Sequence, residues 1–263
     1  MKTLLTYLSV YKSFVASCFA EGLTYRFHFI LLIAMDIFFY VVSLASVDFI
    51  FNHVGKIGVW NREEFMFFVA FMLALDQLHM TFISENFWAL ADQIRRGQMD
   101  YTLLKPLSTL FTTFFRYIRP ASLFNIFVTV PMLIYYGIQA DLPSLSWCFL
   151  PILMILALTL WVSIEILISC SMFWIVEGYG INFLRIQFQS IARWPDFIYS
   201  PWPRRFLTFF IPVLLIGNAP VRFLFDNEDY WPFLGMTVAI GIIWLLIGYF
   251  WEKGLKNYES ASS

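Results

Sequence analysis

Apolar positions in this chain come in blocks of about twenty, the length that crosses the hydrocarbon core of a bilayer. Residues 29–51, 65–83, 120–138, 147–176 and 231–251 form five such blocks. Asp36 and Asp48 interrupt the first, and Asp76 and His79 the second. Pro131 is an expected kink in the third. The fourth carries a single acid, Glu165, and its thirty residues must tilt or protrude, whereas the last has no charge at all. A sixth span falls between 177 and 230, where two readings stand. Either 206–225 crosses as a plain helix, or 180–200 crosses and 206–225 folds into a re-entrant pair of short helices around Pro212, Gly217 and Pro220. Glu177 is expected at a membrane boundary.

Two stretches alternate at helical rather than spanning rhythm. In residues 3–22, Leu4, Leu8, Tyr11, Val15, Cys18 and Phe19 fall on one side and Lys2, Ser9, Ser13 and Ser17 opposite, which predicts a helix lying in the membrane interface. From Ser84, the residues Phe87, Leu90, Ala91 and Ile94 share a face, with Glu85, Asp92, Gln93, Arg95 and Arg96 elsewhere. Gly97 is placed to cap that helix, and Arg95 and Arg96 meet its negative end. Pro106 blocks continuation and pushes Lys105 toward extended backbone. The 84–108 segment is therefore a short helix and turn. It either serves as a grip for a soluble partner or lies on the membrane as an ordinary interfacial loop.

Composition fixes the class. The chain is 60% hydrophobic and 13% charged, against roughly half and a quarter for soluble domains. The fold expected is an all-α integral membrane protein with six transmembrane helices, an N-terminal interfacial helix and a short cytoplasmic helix. The whole of 1–263 reads as one membrane domain. A net charge of −1 implies no broad nucleic-acid-binding face. Cys18, Cys148 and Cys170 are scattered without metal-ligand spacing and read as buried or lipid-facing thiols. Lys2, Lys12 and three serines break the first 25 residues, so no cleavable signal is expected and the first span does the targeting.

Basic residues set the orientation. Arg95, Arg96, Lys105, Arg116 and Arg119 lie between the second and third blocks, and Lys253 and Lys256 in the tail. The 226–230 loop carries Asp226, Glu228 and Asp229. Both termini and the 84–108 segment are therefore expected in the cytoplasm. Arg204 and Arg205 conflict with a re-entrant 206–225, since they would then lie outside.

The stretch GQMDYTLLKPLS at 97–108 resembles the G-x-L-D-x-x-L-L-R-P-L-S signature of type-2 ATP-binding-cassette (ABC) permeases, in the drug- or viologen-exporter-like branch. Met99 stands for the usual leucine and Lys105 for the usual arginine. LTYR at 23–26, YSPWPRR at 199–205 and the proline of FFIPVLL at 209–215 extend the likeness over most of the chain, although only 97–108 is fairly specific. The resemblance implies a coupling element that docks on a separately encoded ATPase. Glu85 through Pro106 would receive its nucleotide-driven movement, with Asp92, Arg95, Arg96 and Asp100 pairing with the ATPase and Phe87, Leu90 and Ile94 filling its groove. It also implies ATP and Mg in that partner, a second permease copy or a related permease beside this one, export of an amphipathic or hydrophobic solute, and a bacterial inner membrane.

No G-x-x-x-x-G-K-[ST], H-E-x-x-H or G-x-S-x-G occurs, so neither a nucleotide site, a metal centre nor a catalytic residue is expected in this chain. The remaining chemistry lies in the intramembrane charges. Each costs about 2.5–3.5 kcal/mol at the bilayer centre on insertion scales. Asp36, Asp76, His79 and Glu165 are candidates to line a polar route for a cationic or amphipathic solute, with pairing between spans as the alternative. Asp76 and His79, three apart on one face, are expected to pair with each other. Two other functions remain open: a secondary transporter using Asp36, Asp76 and Glu165 as ion sites, and a membrane lipid-modifying enzyme using His79 with Asp76 or Glu85.

Overall fold

The second hydrophobic block becomes the axis of the molecule. In the computed structural model, which describes residues 2–175 and 178–258, helix α3 (Arg62–Phe82) has 83% of its most apolar stretch buried by the chain's own helices. Its start is fixed by a reciprocal cap. Asn61 Oδ1 accepts from Glu64 N and Asn61 N donates to Glu64 Oε2, both at 2.8 Å. Around it stand α2 (Arg26–Phe51), α7 (Pro120–Phe124), α8 (Ile126–Gln139), α9 (Ser144–Ser169) and α12 (Leu215–Phe225). The last long helix, α13 (Trp231–Asn257), packs on α9 and α12. Gly217 lets α12 close on α3, because a Cβ there would lie 2.6 Å from Met72 Sδ and 2.8 Å from Phe68 Cε2.

The described residues are almost wholly helical and contain no strand, as an all-α membrane protein requires. Four helical stretches are long and apolar enough to cross a bilayer: 26–51, 62–82, 144–173 and 231–257. The third predicted block is shorter and broken. It divides at Asn125 into α7 and α8. The disputed region divides too, into α10 (Gly178–Ala192), α11 (Pro201–Phe209) and α12, with a turn at 210–214. A single helix over 206–225 is therefore not what forms, because Pro212 sits in the turn where the helix would have to continue. Glu177 lies outside the described residues.

The N-terminal helix α1 (Lys2–Thr24) forms as its periodicity predicts. On its apolar side Leu4 and Leu8 are exposed while Tyr11, Val15, Cys18 and Phe19 are half-buried, and Tyr7 and Phe14 also face the protein. Tyr7 Oη accepts from Ser108 N at 2.9 Å, Phe14 stacks on Phe111, and Cys18 Sγ lies 3.5 Å from the Ile118 amide. The 108–118 segment claims that face, which leaves Leu4 and Leu8 for the bilayer. All three cysteines are free thiols, Cys170 buried and Cys148 exposed.

Candidate functional site: a short helix seated on buried charge

Helix α4 (Ser84–Arg95) follows α3 after the single residue Ile83. It ends as expected at Gly97, whose φ of 67° is one that L side chains rarely adopt. Gln98 N donates to Gln93 O and Gly97 N to Ile94 O, the paired bonds of a Schellman cap. A short helix, α5 (Met99–Leu103), continues the segment. Asn86 ties α4 to the chain behind it: its Oδ1 accepts from Arg116 N and Tyr117 N, and its Nδ2 donates to Tyr117 O.

The apolar face of α4 is not available to a partner. Phe87 and Leu90 are completely buried and Ala91 nearly so, packed on Phe114 and the start of α10. Phe87 and Leu90 are therefore not free to fill another protein's groove, as the family resemblance implied, because this chain's own helices already cover them. Ile94 is half-buried against the same core. What α4 presents outward is a stripe of Glu85, Trp88, Asp92, Arg95 and Arg96. Arg95 and Arg96 both reach Asp92, at 3.2 and 3.4 Å. Tyr179 of α10 joins them, donating to Asp92 at 3.2 Å beneath the Arg95 guanidinium. Beyond the cap, Tyr101, Leu103 and Leu104 are outward apolar side chains, Leu104 at 82% exposure, and Pro106 is exposed beside them. Asp100 is half-buried and engaged with Tyr258. Burial, with Arg116 nearby, lowers the Lys105 ammonium below the ordinary lysine value.

Behind α4 lies a buried cluster. Glu165 of α9 accepts from His79 Nε2 at 2.6 Å, Trp161 Nε1 at 3.0 Å and Arg185 Nη1 at 3.1 Å, and also from Gln189 Nε2. The His79 ring stacks on Trp161 with centroids 4.8 Å apart. The Arg185 guanidinium lies 4.4 Å from the centre of the Phe87 ring. Asn182, one turn before Arg185, donates to the Phe87 carbonyl at 3.3 Å. One charge network thus joins α3, α9 and α10 and ends against α4. A buried charge persists only when paired and fully hydrogen-bonded, and four donors around one carboxylate meet that condition.

The expected Asp76–His79 pair does not form. Asp76 accepts from Arg193, in the turn just after α10, at 2.8 Å, while His79 turns to Glu165. Each finds an interhelical partner that satisfies it better than its neighbour on the same helix could. Asp36 is likewise matched: Ser122 and Asn125 donate to it at 2.8 and 2.9 Å, and Arg119 reaches it at 3.4 Å. All four intramembrane candidates are therefore struts between helices. Arg185, Gln189, Asn86, Trp88 and Tyr179 carry contacts that the sequence pattern does not single out. The one signal for the first two is their α10 position, since an arginine and a glutamine in an apolar helix must find acceptors. No group of His, Cys, Asp or Glu among the described residues could hold a metal ion.

Another ion cluster answers the conflict over Arg204. Asp196 accepts from Arg204 at 2.6 and 2.9 Å and from Arg222 at 2.9 and 3.0 Å, so Arg204 is matched where α11 begins.

No characterised protein and no solved structure matches this chain. One protein family does, described as ABC-2 family transporter protein, over residues 23–262. That range takes in the seated helix, the buried charge network and the divided segment before the last span. The chain belongs to the ABC-2 family of membrane transporters and is a permease-type, multi-pass membrane component.

Proposed function

We propose that the chain is the membrane half of an ABC exporter that moves an amphipathic or hydrophobic solute, driven by ATP and Mg bound in a separate ATPase subunit. The observation that carries this reading is the two-sided character of α4. Its apolar face is fixed to the span bundle through Phe87, and its polar stripe is left outward. A push on that stripe is delivered directly to α10 and, through Arg185 and Glu165, to α9 and α3. The docking surface comprises Glu85, Trp88, Asp92, Arg95 and Arg96, with Tyr101 and Leu104 supplying apolar contact. Exposed pairs such as Arg95–Asp92 contribute little to stability, so they exchange readily for a partner's carboxylates.

In this reading α4 and both termini face the cytoplasm, in a bacterial inner membrane, and the solute passes between two permease copies. Helix α2, with only 11% of its apolar stretch buried, is the face left for the second copy. The ion-coupled alternative draws no support from the geometry, because Asp36, Asp76 and Glu165 are each matched by an arginine. The lipid-modifying alternative fares no better, since His79 is sealed between Glu165 and Trp161.

The test is co-reconstitution with an ABC ATPase that co-purifies with this chain. The double variant Arg95→Glu/Arg96→Glu is expected to lower solute-stimulated ATP turnover at least tenfold. Unchanged turnover, or solute export by the chain alone, rejects the reading.

A further inference from the structure

Helix α11 and the turn at 210–214 stand off α9, α12 and α13 and leave a cavity of about 1120 Å³ between them. This exceeds the roughly 300–1,000 Å³ of a drug-sized pocket. Its two ends differ in chemistry. At one end Arg204, Arg205 and Arg222 face a lone carboxylate, Asp196, leaving a surplus of two positive charges. Asp196 engages Arg204 and Arg222, whereas Arg205 is exposed and has no ion-pair partner among the described residues. The acids of the 226–230 loop do not line the cavity. The remaining wall is mostly apolar, with Tyr199, Thr208 and Asn218 among Phe210, Val238, Ile164 and Leu246.

We infer that this cavity binds an anionic membrane phospholipid, its phosphate at Arg205 and its acyl chain along α13. Dimensions support the assignment. The lining spans α13 from Trp231 to Leu246, fifteen residue steps, or roughly 22 Å at about 1.5 Å per residue. One leaflet with its headgroups is about 20–22 Å deep. Guanidinium groups match phosphate in geometry and charge. Trp231 lines the cavity, and Trp202 and Phe206 stack on each other on α11, on either side of Arg204 and Arg205 in the sequence, as interfacial aromatics do. A second copy of this chain is a poorer occupant, because a twofold contact through this rim sets its surplus arginines against their own equivalents. The site requires only that these helices lie in a bilayer, and it is independent of coupling to an ATPase.

Native mass spectrometry of the purified, delipidated chain tests this, with phosphatidylglycerol and phosphatidylcholine added separately. The natural sequence is expected to retain phosphatidylglycerol at least tenfold better. Arg205→Gln is expected to abolish that preference while leaving phosphatidylcholine retention unchanged. Gly235→Phe fills the cavity, since a Cβ there meets nothing nearer than Leu215 Cδ1 at 4.0 Å, and it is expected to reduce retention of both lipids with an unchanged melting temperature. Equal retention of the two lipids by the natural sequence overturns the proposal. So does a phosphatidylglycerol preference that survives Arg205→Gln, or lipid retention that survives Gly235→Phe. If Gly235→Phe alters the oligomeric state and leaves lipid bound, the cavity belongs to a second copy and the inference fails.

Discussion

Arg185 donates to Glu165 at 3.1 Å while its guanidinium lies 4.4 Å from the centre of the Phe87 ring. A single side chain therefore touches both the charge cluster within the spans and the helix seated at their end. Two consequences can be measured separately, one for stability and one for coupling.

For stability, Glu165→Gln removes the carboxylate that His79, Arg185 and Gln189 share with Trp161. Breaking one side of a buried ion pair costs about 3–5 kcal/mol, because the other charge stays buried. The variant should melt well below the natural chain in detergent. Adding Arg185→Gln should recover much of the loss, since the stranded cation is then gone. A double variant as unstable as the two single losses added together would show that the pair is not the cause.

For coupling, Phe87→Leu keeps the site apolar and filled but removes the aromatic face beneath Arg185. A desolvated cation–π contact is worth about 2 kcal/mol. The expected outcome is a folded chain that still associates with its ATPase, with solute export per ATP hydrolysed reduced severalfold. Export that keeps pace with hydrolysis would mean that movement reaches the spans by another route.

Association through the α4 stripe should depend on salt. Asp92, Arg95 and Arg96 are substantially exposed, and the screening length falls from about 10 Å at 0.1 M to about 3 Å at 1 M. Co-purification with the ATPase should weaken progressively over that range. Insensitivity to salt would shift the weight of docking onto Trp88, Tyr101 and Leu104.

Close packing of α12 gives a further check. Gly217→Ala places a methyl group against Met72 and Phe68 at distances real Cβ atoms essentially never show. Overpacking of this kind costs about 1–3 kcal/mol. The melting temperature should fall, whereas Gly241→Ala, with nothing within 4 Å of its Cβ, should not lower it.

Spans, caps and breaks were largely legible because each rests on local physics. Twenty-residue apolar blocks, Gly97 after Arg96 and Pro212 inside an apolar run act through the bilayer or their own backbone. Partner choice was not legible. Asp76 and His79 share a face, yet each pairs across a gap of 86 or more positions, and nothing in α3 alone names Arg193 or Glu165. The facing of amphipathic helices failed for the same reason. Periodicity shows that Phe87 and Leu90 share a side, but not whether that side meets another protein or this one. The same holds for Tyr7 and Phe14 in α1, which meet Ser108 and Phe111 about a hundred positions away.

Because α3 is enclosed on every side, its tolerance to substitution should show no 3.6-residue rhythm. Saturation mutagenesis should find nearly every position from Phe65 to Leu75 intolerant of polar replacement, whereas α13 should tolerate bulky apolar residues along one flank and reject them along the other.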